Sequence, residues 1–346
     1  MPADSTPADI GRAAAILRAG RLVAFPTETV YGLGANGLDE DAVARIFAAK
    51  GRPQDNPLIL HVAASDEVRP LLKEVPEEAE RLMARFWPGP LTLVLPRSPL
   101  VPDIVTGGLD TVAVRLPDHP VARRIIRAAG VPIAAPSANL SGRPSPTTAE
   151  HVLADLDGRV EVVIDGGPTH VGVESTVLDL TTTPPAILRP GGVTREQLED
   201  FLGAVIGPEA SREGGDQQRP RSPGMKYTHY SPAAPLLLFL GPPELVVRAV
   251  AERAAAERRD GRRVGILTND RHLEAYRADP GDILVSLGPE GDARAAAMHL
   301  FQCLRAFDAE GAEVILAEGI DEAGIGLAVM NRLRKAASRI ITVGRG

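Results

Sequence analysis

Four cationic side chains stand beside apolar or glycine-rich segments, where charge is costly to keep. Arg115 falls inside an apolar run, and Arg189 ends another just before a proline and two glycines. Lys50 and Arg52 share one tight turn. A buried guanidinium or ammonium needs an anionic partner. That partner is either the phosphate or carboxylate of a ligand or an internal carboxylate, for which the candidates are Glu28, Asp165 and Glu174.

Neutral polar side chains that could orient such a ligand lie near these cations. His61 occupies an apolar strand pattern, where a histidine is either a satisfied core residue or a ligand group. Ser137, Asn139 and Ser145 crowd a Gly/Pro-rich loop in which turn chemistry alone also explains them. Together the polar and cationic residues predict an arginine-lined cavity that positions and polarises anionic substrates without a protein nucleophile.

Signatures of other chemistries are missing from the sequence. It contains no GxxxxGK[ST] phosphate loop, no GxSxG elbow and no HExxH zinc motif. Cys303 is the one cysteine, which excludes an intrachain disulfide and a thiolate zinc site, and its helical context predicts a core residue. The segment Gly319–Gly326 follows a predicted strand and opens a helix, but its two acidic residues oppose an anion, so a helix cap is the simpler interpretation.

Length and charge narrow the class of protein. A chain of 346 residues exceeds the usual size of one core and predicts two domains. The net charge of −7 does not favour a nucleic-acid binder, so any RNA contact is expected to be weak or local. No apolar run is long enough to span a membrane and no secretory signal is visible, which predicts a cytoplasmic protein.

The elements that must position these residues form a mixed α/β pattern. A short strand ends at Phe25, and the polar, glycine-containing stretch Pro26–Asn36 is interpreted as a strand-to-helix turn with a polar rim. Helical spacing predicts helices over 7–19, 39–49, 77–86 and 119–129. Strands are predicted over 22–25, 57–62, 91–95, 111–116, 160–164, 174–180 and 186–188.

The last third of the chain is more regular. Apolar runs at 236–240, 264–268, 283–287, 314–317 and 340–343 alternate with helical stretches near 243–259, 270–277, 292–309 and 325–338. This alternation predicts a parallel, Rossmann-like, doubly wound α/β domain. The expected organisation is a first domain over 1–206, a linker over 207–234 and a second domain over 235–346. The linker ends in a segment with Tyr227, His229 and Tyr230, which could cover a site.

Several short motifs, in one order along the chain, resemble those of the YrdC/Sua5 family. The motifs are Pro26–Leu33, Lys50–Pro53 with Asn56–Leu58, Trp87–Thr92, Val114–Pro117, Pro136–Gly142, Glu174–Val177 and Leu188–Gly191. The match covers about residues 10–205. The linker and the second domain are similar to those of the longer, Sua5-type members.

This resemblance implies a fold and an activity. The fold would be a YrdC-like mixed, twisted sheet with helices, followed by a smaller Rossmann-like domain. The activity would be L-threonylcarbamoyladenylate synthesis from L-threonine, bicarbonate (or CO2) and ATP, with release of pyrophosphate. Mg²⁺ would arrive with ATP rather than on protein ligands. The product would pass to the machinery that places threonylcarbamoyl on adenosine 37 of tRNA.

The resemblance also assigns residues to each substrate. L-threonine would be held by Thr29, Tyr31, His61, Arg115 and Ser175. ATP would be held by Lys50, Arg52, Asn56, Thr111, Ser137, Asn139, Ser145, Arg189 and Tyr230. The catalytic cations would be Lys50, Arg52 and Arg115. The sequence departs from the family at Ala135 and Pro136, where members often carry a threonine, so a hydroxyl contact from that position is not expected.

Two other functions compete with this one. The first is a non-catalytic RNA-binding module of the YrdC fold, against which the acidic first domain argues. The second makes the Rossmann-like domain an independent nucleotide sensor that uses Gly319–Gly326.

Overall fold

The structure is a computed structural model that describes residues 6–209, 220, 230–276 and 281–344. The chain divides into two compact units. The first comprises Met1–Ser141 and Ser145–Tyr227, and the second comprises Gly142–Pro144 and Thr228–Gly346. Within the described ranges, no helix is both long and apolar enough to cross a membrane.

The first unit is built on a mixed sheet of nine strands. The strands are β1 (Val23–Phe25), β2 (Gly32–Asn36), β3 (Ile59–His61), β4 (Leu91–Pro96), β5 (Thr111–Arg115), β6 (Ile133–Ala134), β7 (Val162–Val163), β8 (Thr176–Asp179) and β9 (Ala186–Arg189). Their spatial order is β7-β1-β2-β6-β3-β5-β4-β8-β9. The pairs β1–β7, β3–β5 and β4–β8 are parallel and the other pairs antiparallel. The predicted mixed α/β class is confirmed.

Helices flank this sheet. They are α1 (Pro7–Arg18), α2 (Glu40–Lys50), α3 (Glu77–Phe86), α4 (Asp103–Thr106), α5 (Pro120–Ala129), α6 (Ala149–Leu156) and α7 (Arg195–Leu202), with a 3-10 helix over Ser65–Leu71. Helix α3 begins and ends where the apolar spacing predicts, and α1, α2 and α5 agree to within one residue at each end. The short helix α4 and helices α6 and α7 were not predicted.

Strand alternation gives the sheet two different faces. One face packs Leu60, Leu93 and Val114 into the main core. On the other face, α1 and α5 cover β1 and form a second core around Phe25. Further along that same face, only a small apolar cluster is present: Ile59, Val94, Ala113, Val177 and Leu188. We call the part of this face formed by β3, β5, β4, β8 and β9 the site face. Beside this apolar cluster it carries polar side chains such as His61 and Arg115, which lie two residues from Ile59 and Ala113 on the same strands.

Helix α2 ends on a buried cation because of how its two ends are capped. Asp39 caps the helix by accepting hydrogen bonds from the backbone of residues 41 and 42. Gly51 ends it in the left-handed conformation (φ 60°), which glycine adopts without a steric penalty. Lys50 is therefore the last helical residue, and its side chain is buried.

The interpretation of residues 26–36 as a strand-to-helix turn is wrong. Gly32–Asn36 forms β2, which pairs antiparallel with β1, so the stretch is a connection between two strands. Small residues make this pairing possible: a Cβ on Gly34 would lie 2.6 Å from the Phe25 ring and 2.9 Å from Ile133. The glycines therefore accommodate the Phe25 ring within the sheet, which sequence spacing alone did not show.

The second unit is a parallel, doubly wound α/β domain, as predicted. Its strands are β10 (Leu236–Leu240), β11 (Val264–Thr268), β12 (Ile283–Ser286), β13 (Val314–Glu318) and β14 (Ala337–Thr342), in the order β12-β11-β13-β10-β14. Its helices are α8 (Pro243–Arg259), α9 (Leu273–Tyr276), α10 (Ala293–Glu310) and α11 (Gly326–Ala336). Cys303 is buried in α10, as expected of a core residue.

Candidate active site

Two of the predicted threonine ligands lie side by side on the site face. The parallel register of β3 and β5 pairs His61 with Arg115. Arg115 donates from Nη2 to Oε1 of Glu28 at 2.6 Å and from Nε to the carbonyl oxygen of Gly89 at 3.3 Å. Of the two alternatives left open for Arg115, the internal carboxylate is therefore present, and only part of the guanidinium is used by it.

His61 is held as a neutral ring. Its Nδ1 lies 3.1 Å from the carbonyl oxygen of Ile59, which can only accept, so Nδ1 carries the proton. Complete burial, aided by the positive charge of Arg115, lowers the pKa of His61 to about 3. The imidazole is therefore uncharged at physiological pH and adds no positive charge to that of Arg115.

The connection between β1 and β2 is stiffened by its own hydroxyls. Thr27 Oγ1 donates to the carbonyl oxygen of Val30 and lies 2.8 Å from Thr29 Oγ1. The hydroxyl of Tyr31 donates to the carbonyl oxygen of Gly167 at 2.7 Å and accepts from the amide of Gly166. Burial raises the pKa of Tyr31, so its hydroxyl stays protonated. Thr29 follows Glu28 in the chain and its hydroxyl contacts Thr27, whereas the Tyr31 hydroxyl is occupied by the 166–167 loop.

Ser175 and Arg189 meet at the start of β8. Ser175 Oγ lies 2.8 Å from Oγ1 of Thr92, and Arg189 donates to both the carbonyl oxygen and Oγ of Ser175. The loop after β9 approaches this point so closely that a Cβ on Gly191 would lie 2.3 Å from the carbonyl carbon of Ser175. The backbone therefore fixes these two predicted ligands against each other.

Lys50 organises the loop that carries two predicted ATP ligands. Its Nζ donates to the carbonyl oxygens of Ser137 and Asn139, both at 2.5 Å. Its own carbonyl oxygen accepts from the amide of Ser141 at 2.9 Å. Ser137 also bridges to Gly32 at the start of β2, so this loop lies next to the β1–β2 connection.

Three more predicted ATP ligands lie in turns next to the sheet. Arg52 donates to the carbonyl oxygens of Asn56 and Pro57, which closes the turn before β3. Asn56 is 1% exposed, and its Oδ1 has no hydrogen-bond partner among the residues that the structure describes. Ser145 donates to Oε1 of Glu174 at 2.5 Å, which ties its loop to the segment before β8.

The two remaining predicted ATP ligands are Thr111 and Tyr230. Thr111 is half-buried at the start of β5, on the same face as Arg115 but at the far end of the strand. Tyr230 belongs to the second unit, where its ring stacks on Phe301 at 5.3 Å and lies 5.6 Å from the guanidinium of Arg332. The neighbouring Tyr227 and His229 lie outside the described residues.

The second unit has a crevice of about 220 Å³ at the carboxyl ends of its parallel strands. The glycine segment considered as a nucleotide site begins there, at Gly319. Among the described residues, those that line the crevice include no lysine or arginine. They include four carboxylates: Glu290, Asp292, Glu318 and Asp321. This charge opposes a phosphate, and the geometry gives the nucleotide-sensor hypothesis no support.

Sequence reasoning gave one buried polar residue the role of a counter-ion only and gave another no role. Glu28 was one of three candidate counter-ions, and its ion pair with Arg115, 87 positions away, confirms that prediction. Thr92 was part of a recognised motif but was assigned no role, although it is fully buried against Ser175. The signal available in the sequence was a threonine inside an otherwise apolar strand, because a buried hydroxyl needs a hydrogen-bond partner.

Family models match both parts of the chain. Residues 15–191 match the Sua5/YciO/YrdC model, whose description is "Telomere recombination". Residues 193–338 match the model described as "Threonylcarbamoyl-AMP synthase, C-terminal domain".

Relatives resemble the chain over nearly its whole length. A threonylcarbamoyl-AMP synthase of Pyrococcus abyssi is 53% identical over 337 residues, covering 96% of this chain and 95% of the relative. One from Bacillus subtilis is 52% identical over 331 residues, covering 95% and 92%. The crystal structure of P. abyssi Sua5 complexed with L-threonine has a TM-score of 0.91, with 52% identity and coverage of 97% and 96%.

Proposed function

We propose that this chain, which belongs to the Sua5/YciO/YrdC family, makes threonylcarbamoyl-AMP on the site face of its nine-stranded sheet. The substrates are L-threonine, bicarbonate or CO2, and ATP, and pyrophosphate leaves. The observation that carries the proposal is the similarity of the chain, along nearly its whole length, to proteins of that activity. Buried cationic and hydroxyl side chains in the first unit support it.

Arg115 and its neighbours form the threonine half of the site. The guanidinium binds the threonine carboxylate through the donors that Glu28 and Gly89 leave unused, because a carboxylate pairs well with a planar fork of N–H groups. Thr29 and Ser175 offer hydroxyls to the substrate's polar groups. His61 lines the site as a neutral ring, so it does not compete with Arg115 for the threonine carboxylate.

Lys50, Arg52 and Arg189 form the ATP half. Each already orders a loop or turn through backbone carbonyls, so substituting one also moves the residues that it holds. The unpartnered Oδ1 of buried Asn56 needs a donor, which an amino or hydroxyl group of the nucleotide supplies. Ser137, Asn139 and Ser145 complete this half from the loop anchored by Lys50.

The reaction needs no protein nucleophile. The carboxylated amino group of threonine attacks the α-phosphorus of ATP, which makes the step a nucleotidyl transfer. The protein's part is to align the reactants and to place positive charge where negative charge develops. Mg²⁺ enters with the ATP phosphates, because the described residues contain no group of three or more His, Cys, Asp or Glu side chains that could hold a metal ion. When bound, it neutralises charge on the leaving pyrophosphate.

The product is an acyl adenylate for transfer to tRNA. We place its synthesis in the cytoplasm, where ATP, bicarbonate and tRNA are available together, and we expect a separate transferase to accept it. Direct RNA binding by this chain is less well supported, because its net charge of −7 repels the phosphate backbone.

Isotope labelling tests the proposed reaction directly. The full chain is incubated with ATP, Mg²⁺, L-threonine and either ordinary or carbon-13 bicarbonate, and the adenylate is analysed by mass spectrometry. The expected product has the mass of threonylcarbamoyl-AMP and gains about one mass unit with the labelled bicarbonate. A chain that yields no threonine-containing adenylate, or one without the label, would refute the proposal.

A further inference from the structure

The carboxylate of Glu28 is only half used by the protein. Its Oε1 accepts from Arg115 at 2.6 Å, whereas Oε2 is shielded from solvent and has no hydrogen-bond partner within the described part of the chain. The residue is 1% exposed. A buried carboxylate oxygen without a donor is destabilising, and native proteins rarely keep one unless something else binds there. Oε2 therefore calls for a donor that the described residues do not provide.

Glu28 is also held firmly in place. Its carbonyl oxygen accepts from the amide of Val171, and the preceding Thr27 bonds to the backbone of Thr29 and Val30. The backbone that carries Glu28 is thus well anchored, and the contact between Oε1 and Arg115 orients the carboxylate.

Arg115 complements this carboxylate. Its Nε and Nη2 are used by Gly89 and Glu28, while Nη1 makes no hydrogen bond to any residue in the described ranges. The contacting pair therefore offers one acceptor and one cationic donor next to each other in a desolvated place. An α-amino acid carries the complementary groups: its ammonium is a cationic donor and its carboxylate an anionic acceptor, and both are attached to one carbon.

We propose that Glu28 binds the amino group of threonine through Oε2 while Arg115 binds its carboxylate, so that the pair selects α-amino acids. This assignment rests on the proposed function and adds a residue to the threonine site. It also gives Glu28 a second task, since its Oε1 orients the guanidinium. The neutrality of His61 matters here, because a protonated His61 would compete with the threonine ammonium for the Glu28 carboxylate.

A pair of ligands separates direct amine binding from an effect through Arg115. The ligands are L-threonine and 3-hydroxybutanoate, which keeps the carboxylate and hydroxyl but carries hydrogen in place of the amino group. Affinities are measured by calorimetry on the full chain with ATP and Mg²⁺ present. The wild type is expected to prefer threonine by about 10- to 100-fold, the usual effect of a hydrogen bond to a charged group.

The variant Glu28→Gln keeps the shape and an acceptor for Arg115 but loses the charge. It is expected to bind threonine about 10- to 100-fold more weakly while its affinity for 3-hydroxybutanoate changes less than about threefold. If both ligands weaken by the same factor, Glu28 acts only through Arg115 and the inference is wrong. Unchanged threonine affinity would also overturn it.

Two further variants keep the test decisive. Asp282→Asn removes a carboxylate that is also buried and paired with an arginine, Arg258, but lies in the second unit, and it should leave both affinities unchanged. If Glu28→Gln does not fold, Glu28→Asp takes its place. Its retracted carboxylate should lower the preference for threonine at unchanged ATP affinity, and a retained preference would overturn the inference. A wild type that binds ATP but not threonine would instead refute the proposed function.

Discussion

At the scale of single residues, the account depends on one buried ion pair. Glu28 and Arg115 are 1% and 4% exposed, so each charge relies on the other for compensation. Removing one partner of such a pair costs far more than replacing both by apolar groups of similar size, because it leaves an isolated buried charge. Stability and substrate binding can therefore be separated by comparing single and double variants.

We expect Arg115→Ala to lower the free energy of unfolding by about 3 to 5 kcal/mol, because it leaves Glu28 unpaired. The double variant Glu28→Leu with Arg115→Met should recover most of that loss in denaturant titrations. Neither protein should bind threonine measurably, while ATP binding should survive in the double variant. Threonine binding by the double variant would show that this pair is not the amino-acid site.

His61 predicts a pH dependence of stability with a definite sign. Its pKa is about 3 in the folded chain and 6.5 in the unfolded one, so protons bind preferentially to the unfolded chain between these values. The stabilisation is complete above pH 6.5 and is lost as the pH falls. Relative to His61→Asn, the wild type should lose up to about 1.4 kcal/mol of unfolding free energy per pH unit below 6.5. Parallel curves for the two proteins would contradict the neutral, buried assignment.

At the scale of elements, the β1–β2 connection positions Glu28 and Thr29. The pairing of these strands depends on a glycine, because a side chain at that position would have no room. Phe25 and Ile133 occupy the space next to Gly34. The strand pair is therefore sensitive to a single added methyl group.

Gly34→Ala should destabilise the first unit by about 1 to 3 kcal/mol, because the added methyl would lie 2.6 Å from the Phe25 ring. Gly11→Ala is the matched control: it lies in α1 with nothing within 4 Å of the added Cβ, so it should be neutral or stabilising by up to about 1 kcal/mol. Thermal unfolding of both variants checks this. Equal behaviour of the two would show that Gly34 is not constrained by packing.

The same strand pair shows what sequence can and cannot predict. Helix α3 and strands β10 and β11 were predicted with the bounds observed, because their apolar periodicity is local and strong. Strand β2 was missed because glycines carry no such signal, and its pairing depends on the ring of Phe25. Likewise, Glu28 was visible in the sequence as one of three candidate counter-ions, but which carboxylate meets Arg115, 87 positions away, becomes visible only in the fold.

At the scale of the whole molecule, the two units differ in the charge near the sites considered for ATP. In the first unit the predicted ligands include buried Lys50, Arg52, Arg115 and Arg189, whereas carboxylates line the crevice of the second unit. ATP, which carries several negative charges, should therefore bind the first unit only.

Hydrogen exchange on the full chain tests this division. Adding ATP, Mg²⁺ and threonine should slow exchange in peptides that cover residues 50–56 and 137–145. Peptides that cover 319–326 should exchange at the same rate with and without the ligands. Protection confined to the second unit would support a nucleotide sensor there and contradict the placement of ATP on the site face.

The central claim is that the first unit activates threonine by forming an adenylate. The most direct measurement is pyrophosphate release by the full chain in the presence of ATP, Mg²⁺ and bicarbonate, with L-threonine added or omitted. The account predicts release that requires threonine, saturates with it, and falls at least about 30-fold in the Arg115→Ala variant. Pyrophosphate release that is the same with and without threonine would contradict the account.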